Sequence, residues 1–388
     1  MSGLRQLNIS PFQSDLLDLS RWLAALLVVV EHSRSLIFLP YGTGSKPGIL
    51  GKVFYFMTGF GHSAVMVFFV MSGFLVGGKV LDRLSEGNFN WQKYAVDRVS
   101  RLYAVYVLAL LLGGALDYLG YLHFNRFGLY DQSFSSRIAV VNFNFHEHLS
   151  WPIFALNLAM CQTILGPVFG SNGPLWSLAN EFWYYLAGPL LFVLIFAPTR
   201  WRLLPGVGAL ALLVWFLPAS ILIYFLVWLL GAALYFANGR ALVPLWVSLI
   251  LFALSFSVAR LQWLNIPYLA DLLIGVSFAL VINSAARGSR RLPGHGLSRK
   301  AADFSYSVYL CHFPFLVFVL SAFYSATGTG LQGPRTLLSS GLFLLMLVLA
   351  YVWAFLVSLA TERQTPRIRQ WLYRFLRLDP LFKSNVIR

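Results

Sequence analysis

Charge is what this sequence has least of. Only 11% of its 388 residues are charged, less than half the share in a typical soluble protein, and only 14 are Asp or Glu. So little charge cannot cover a water-soluble core, which excludes a soluble enzyme, a disordered chain and a coiled coil. Cysteine is nearly missing as well. Cys161 and Cys311, far apart and in apolar surroundings, exclude a disulfide scaffold and offer no zinc-ligand spacing. No P-loop or glycine-rich dinucleotide turn occurs, so nothing supports a machine driven by ATP or a dinucleotide. Neither a repeat nor a low-complexity tract is evident. What is present is apolar: 58% hydrophobic and 16% aromatic residues, including 34 Phe and 12 Trp. That composition belongs to an all-α, polytopic membrane helix bundle.

Apolar stretches of about 18 to 25 residues cross a bilayer as helices, and ten candidates run roughly over 16–39, 53–78, 97–119, 175–197, 203–218, 220–237, 243–259, 266–286, 302–325 and 336–361. Leu217-Pro218-Ala219-Ser220 is the weakest cut between two of them. The first stretch is expected to be a retained span, because no small-x-small cleavage site follows it. The cations then orient the bundle. With both termini in the cytoplasm, 22 of the 29 Lys and Arg fall inside, and Arg34, Lys46, Lys52, Arg126, Arg137, Arg260 and Arg335 fall outside. This asymmetry accounts for the net charge of +15 without nucleic acid. The chain thus divides into a cytoplasmic segment, 1–15, a transmembrane domain, 16–361, and a basic amphipathic tail, 362–388. The tail, with Trp371, Tyr373, Arg374, Phe375 and Arg377, is expected on the anionic inner leaflet. Within the segment from Gly120 to Gly173, a semi-apolar piece from Ile153 to Leu165 reads as a short interfacial helix.

Ionisable side chains inside spans cost about 2.5–3.5 kcal/mol each, so they face the bundle interior and mark functional candidates. Arg21 and His32 are 11 positions apart in the first span. That is three turns plus about 20°, with a rise of about 16 Å, so both share one helix face and could line one cavity. Glu31 lies about 100° round the helix. Arg98 and Arg101, three apart at the start of the third span, share a face whose planar guanidinium forks suit phosphate; topology anchoring is the alternative reading. Ser177 and Glu181 are i,i+4 neighbours in Gly173-Pro174-Leu175-Trp176-Ser177-Leu178-Ala179-Asn180-Glu181. Ser305, Tyr309 and His312 fall on one face of the ninth span, before Pro314. His62 and Ser72 lie in the second span, Ser72 within Phe68-Phe69-Val70-Met71-Ser72-Gly73-Phe74-Leu75, whose small residues permit close helix packing.

Taken together these clusters resemble the membrane-bound acyltransferase family 3, ten-span proteins that O-acylate sugars of surface polysaccharides and other glycans. The family's pattern of an Arg, ten residues and a His corresponds to Arg21 through His32. Its F-F-x-x-S-G-F-L run corresponds to Phe68 through Leu75, and its R-x-x-R to Arg98 and Arg101. Its L-W-S-L-x-x-E run corresponds to Leu175 through Glu181, and its S-Y-x-x-Y-L-x-H-x-P to Ser305 through Pro314. Five motifs in one order across roughly residues 15 to 361 make the resemblance specific. The chain departs from it at Ala104, where a Pro often stands, at Glu31, and at Ala179-Asn180 before a single acid. The extra hydrolase-like domain of some members is not expected here. Transfer is then expected to be completed within the membrane domain or by a partner.

The resemblance implies an acyltransferase that moves an acyl group, most commonly acetyl, from cytoplasmic acyl-CoA to a sugar hydroxyl of a cell-surface or lipid-linked glycan. The implied location is the bacterial inner membrane. Acyl-CoA is a co-substrate; no permanently bound cofactor, metal or nucleic acid is implied. Arg98 and Arg101 would meet the donor's phosphates, with Ser72 beside them and Arg21 deeper in. His32 would act as general base or as a transient acyl carrier. Glu181 is favoured over Glu31 to hold the imidazole, since the resemblance covers it. Ser177, Tyr309, His312 and His62 are candidates for substrate contact. A transporter or flippase of a lipid-linked sugar is the competing reading, because polar groups in mid-membrane also mark transport paths.

Overall fold

The computed structural model describes residues 8–43, 48–131, 141, 144–196, 200–237, 239–330 and 332–378. Arg5, Lys46, Arg137, and the tail's Lys383 and Arg388 lie outside the described residues, as do the side chains of Arg200 and Arg202. The described chain is helical; its only extended pairings are two isolated bridges, Phe38 with Gly333 and Gln162 with Gly166.

All ten apolar stretches coincide with helices. They are α1 (Pro11–Ile37), α2 to α4 taken together (Ile49–Met57, Gly61–Ser72 and Gly78–Ser85), and α5 (Trp91–Phe124). Two short helices, α6 (Phe145–His148) and α7 (Trp151–Leu158), precede α8 (Trp176–Phe196), α9 (Arg200–Phe216) and α10 (Ala219–Ala237). Then come α11 (Leu245–Arg260), α12 (Leu269–Ala285), the short α13 (His295–Ala302), α14 (Ser305–Thr327), α15 (Leu337–Ala360) and α16 (Thr365–Phe375). Among the described residues, six helical runs are long and apolar enough to cross a membrane, beginning at Ile49, Trp91, Gly173, Ala219, Ser305 and Leu337; three more apolar helices, Leu203–Phe216, Leu245–Arg260 and Leu269–Ala285, are shorter. α9 and α10 are separate helices, divided at Leu217-Pro218 because proline restricts the residue before it.

Local chemistry sets the boundaries that shape the site. α1 begins where Ser10 Oγ accepts from the Gln13 amide at 3.1 Å and Pro11 occupies the first turn, where its missing N–H costs nothing. Asp15 ties this end to the segment before α13, accepting from Arg291 Nη1 at 2.7 Å and from the Leu292 amide at 3.0 Å. The second apolar stretch is not the single helix its sequence suggests. It breaks at 58–60, and two arginines satisfy carbonyls there that water would otherwise have to reach. Arg260 Nη2 donates to the Tyr55 carbonyl at 2.7 Å, and Arg34 Nε donates to that of Thr58 at 3.2 Å. The break places Gly61 and His62 at the start of α3, on a cavity wall.

Between α3 and α4 the chain makes a π-helical turn, Gly73–Gly77. Here it crosses α10 backbone to backbone: a Cβ on Gly73 would fall on the Trp228 carbonyl, and one on Gly231 on the Val70 carbonyl. No side chain fits between them, which is how small residues let helices approach closely in lipid. The fully buried Trp228 fills the space beside the crossing and donates from Nε1 to Ser72 Oγ at 3.2 Å. Gly231→Val should therefore force α10 away from α3. We expect a loss of several degrees in thermal unfolding in detergent; a melting curve superimposable on the wild type would refute the close crossing.

One expectation needs correction. The helix read over Ile153 to Leu165 ends at Leu158, because Asn157 organises a non-helical return. Its amide donates to the Ile153 and Pro167 carbonyls at 2.8 and 3.0 Å, and its Oδ1 accepts from the Phe169 amide at 2.9 Å. In the tail, α16 packs against the start of α5, where the buried Tyr373 donates to Asp97 at 3.1 Å, while Trp371 and Phe375 stay exposed on its other face.

Candidate active site

Two cavities lie along α1, and they divide the polar residues between them. The first, of about 290 Å³, is lined by Arg21, Lys79, Arg98, Arg101 and Glu181, with Ser72, Ser177, Tyr185 and Tyr309. The second, of about 540 Å³, is lined by Glu31, His32, Arg34 and His62, with Trp176, Tyr309 and Gln332. Val65 and Tyr309 line both. Arg21 and His32 thus share the helix face that their spacing requires but open into different chambers. The single tunnel expected along α1 is a pair of chambers meeting at a partition.

The arginine chamber is strongly cationic, since four cations face one acid. Arg98 lies over the rings of Tyr94 and Tyr185, with its Cζ 5.9 and 5.7 Å from their centroids, and its buried Nε has no hydrogen-bond partner. A guanidinium presented in this way has capacity left for an incoming oxyanion. Arg21 is partly neutralised by Asp18 at 3.4 Å, and Lys79 adds a cation that the motifs did not flag. Glu181 ends a chain of hydrogen bonds: Trp228 Nε1 donates to Ser72 Oγ, Ser72 donates to the Tyr185 hydroxyl at 3.3 Å, and Tyr185 donates to Glu181 at 2.5 Å. Ser72 therefore belongs to an internal network whose hydrogen is already committed.

The histidine chamber has a different organiser from the one expected. Glu181 is not the partner of His32; His312 is. Nδ1 of His312, which is fully buried, lies 2.9 Å from the carbonyl oxygens of both Val308 and Tyr309. Carbonyls only accept, so this nitrogen carries the hydrogen, and Nε2 is the bare one. That Nε2 lies 2.8 Å from Nδ1 of His32, which must then donate to it. The remaining nitrogen of His32, Nε2, is left with its lone pair. Phe313 braces the ring edge-on, with centroids 5.0 Å apart. The helical carbonyls of α14 thus fix the tautomer of His312, and His312 fixes that of His32. Sequence reading placed His312 among substrate contacts; here its two ring nitrogens are engaged by carbonyls of its own helix and by His32. Glu31 is equally committed, accepting from the Gly61 amide and lying 3.8 Å from Arg34.

The partition is a small polar knot. Ser177 Oγ and the Tyr309 hydroxyl are 2.7 Å apart, and both reach the Pro174 carbonyl, at 3.3 and 3.2 Å. His62 lines the histidine chamber, with Nε2 3.1 Å from Asp271. Asp271 and Tyr224 escaped the sequence reading. An acid inside the 266–286 stretch is the signal that could have found Asp271, by the rule that singled out Arg21.

The sequence model of a family described as an acyltransferase domain matches residues 15–363. Acyltransferase MdmB of Streptomyces mycarofaciens is 24% identical over 280 residues, covering 71% of this chain and 58% of that protein. An uncharacterized protein of Haemophilus influenzae is 27% identical over 134 residues, covering 34% of this chain and 50% of its own length. The chain thus spans about half the length of the relatives it matches. No solved structure matches.

Proposed function

Because the chain belongs to this acyltransferase family, we propose that it transfers an acyl group, acetyl first among the candidates, from acyl-CoA to a sugar hydroxyl of a surface or lipid-linked glycan. In this reading the bundle crosses a bacterial inner membrane ten times with both termini in the cytoplasm, and the arginine chamber opens to the cytoplasm. Arg98, Arg101 and Lys79 take the donor's phosphates, and Arg21 lies further along the same wall. The thioester reaches the partition, and the acceptor occupies the histidine chamber.

The chemistry follows from the bare Nε2 of His32, the observation that carries this reading. As the acceptor oxygen attacks the thioester carbonyl, a C–O bond forms and the C–S bond breaks. Nε2 takes the hydroxyl proton and returns it to the departing thiolate, so protons balance over the cycle. The relay from His312 holds Nδ1–H in place, so the lone pair stays on the nitrogen facing the reaction. Of the Tyr309 and Ser177 hydroxyls at the partition, the one that turned away from the Pro174 carbonyl would donate to the developing oxyanion.

The test uses the full chain in proteoliposomes, with labelled acetyl-CoA and the cell's own surface polysaccharide stripped of esters by mild base. We expect label to enter the polysaccharide as a base-labile ester; absence of transfer would remove the reading. In the same assay Arg98→Ala/Arg101→Ala should raise the KM for acetyl-CoA about tenfold or more, the value of a lost charge-assisted contact, and leave the acceptor KM in place. An unchanged donor KM would reduce the two arginines to membrane anchors.

A further inference from the structure

The histidine chamber holds a second imidazole that the transfer step leaves unused. His62 sits in the first turn of α3, with 54% of its side chain accessible in the chamber. Its Nε2 lies 3.1 Å from Oδ2 of Asp271, and the same oxygen accepts from the Tyr224 hydroxyl at 3.1 Å. The carboxylate can only accept, so Nε2 carries the hydrogen and Nδ1 is the nitrogen available to a ligand. Asp271 is nearly buried, in the first turn of α12. An acid in an apolar helix is retained where it orients something. The residue before this helix, Tyr268, has φ 63°, a left-handed conformation that bulky side chains avoid, and its ring packs on Tyr224 with centroids 5.4 Å apart. Strain of this kind collects where the surroundings impose a working geometry. Beside His62 stands Trp176, with ring planes 17° apart and centroids 6.0 Å apart, also on the chamber wall. The wall therefore combines flat apolar faces with a fixed hydrogen-bonding edge. A sugar ring has the matching form, with an apolar C–H face and a rim of hydroxyls.

Resting on the reading of this chamber as the acceptor's, we propose that His62, held by Asp271 and Tyr224, binds the acceptor sugar. Nδ1 accepts a hydrogen bond from one ring hydroxyl, and the Trp176–His62 wall receives the C–H face. A neighbouring hydroxyl is then presented to Nε2 of His32. The imidazole takes no part in moving the acyl group. It decides which sugar is held and how.

The experiment compares His62→Ala and His62→Gln with the wild type in proteoliposomes, using acetyl-CoA and the de-esterified polysaccharide as probes. His62→Ala should raise the acceptor KM about tenfold, with the donor KM within about twofold and kcat at saturating acceptor within about threefold. His62→Gln, whose amide oxygen still accepts a hydrogen bond, should recover part of the loss. Asp271→Asn, which loosens the imidazole without removing it, should move the acceptor KM in the same direction by less. An acceptor KM unchanged in His62→Ala overturns the inference while leaving the transferase reading intact. A fall in kcat with no change in KM overturns it too, since it would make His62 a second base. If the wild type itself transfers no acetyl, the transferase reading fails and takes this one with it. Detergent unfolding curves for each variant separate these outcomes from misfolding.

Discussion

His32→Ala is expected to lower kcat by about 10² to 10⁴, the range associated with a positioned general base, while both KM values change little. Neither His312 nor Glu181 is placed to substitute for it. The other imidazole in contact, His312, has Nδ1 engaged with two carbonyls and Nε2 facing His32, so it offers no free lone pair to a substrate. Glu181, the acid of the family motif, lies in the other chamber and accepts from Tyr185. The measurement is initial-rate transfer of labelled acetyl at saturating donor and acceptor, with membrane levels and unfolding checked for each variant. Activity within tenfold of the wild type would end the role given to His32.

His312→Ala is expected to have the next largest effect, about 10²-fold in kcat, although this side chain never meets the reacting atoms. Without it, Nδ1 of His32 loses its acceptor, and the ring is free to flip or to carry its hydrogen on Nε2, the tautomer that cannot act as a base. Removing the group that fixes a histidine's tautomer costs about 10²- to 10⁴-fold in sites organised this way. The informative control is His312→Gln, whose amide oxygen can still accept from Nδ1–H. It should recover about a tenth or more of the lost rate, because a hydrogen bond of this kind contributes roughly 1 kcal/mol. A merely structural role would make the alanine and glutamine variants equally slow and equally unstable.

The sequence made the helical plan legible, and the reason is physical. Each apolar stretch must satisfy its own backbone in lipid, so length and hydropathy mark it directly. All ten stretches fall on helices. The break at 58–60 was hidden because its carbonyls are satisfied by Arg260 and Arg34, the first more than two hundred residues distant along the chain. The site was legible one helix at a time. Spacing put Arg21 and His32 on one face, Arg98 beside Arg101, and Ser305, Tyr309 and His312 in register. What spacing on one helix cannot give is which helix stands opposite. The pairings of His32 with His312, Ser72 with Tyr185 and His62 with Asp271 had to come from the packed bundle. Asp271 and Lys79 belong to none of the motifs, although an acid in an apolar stretch carries its own signal.

The partition of Val65 and Tyr309 bears on the membrane as much as on the reaction. A bundle with one continuous water-lined bore would let ions run down their gradients whenever it stood empty. Here Val65 and Tyr309, the latter pinned by Ser177 and Pro174, are the residues the two chambers share, and any such bore would have to pass between them.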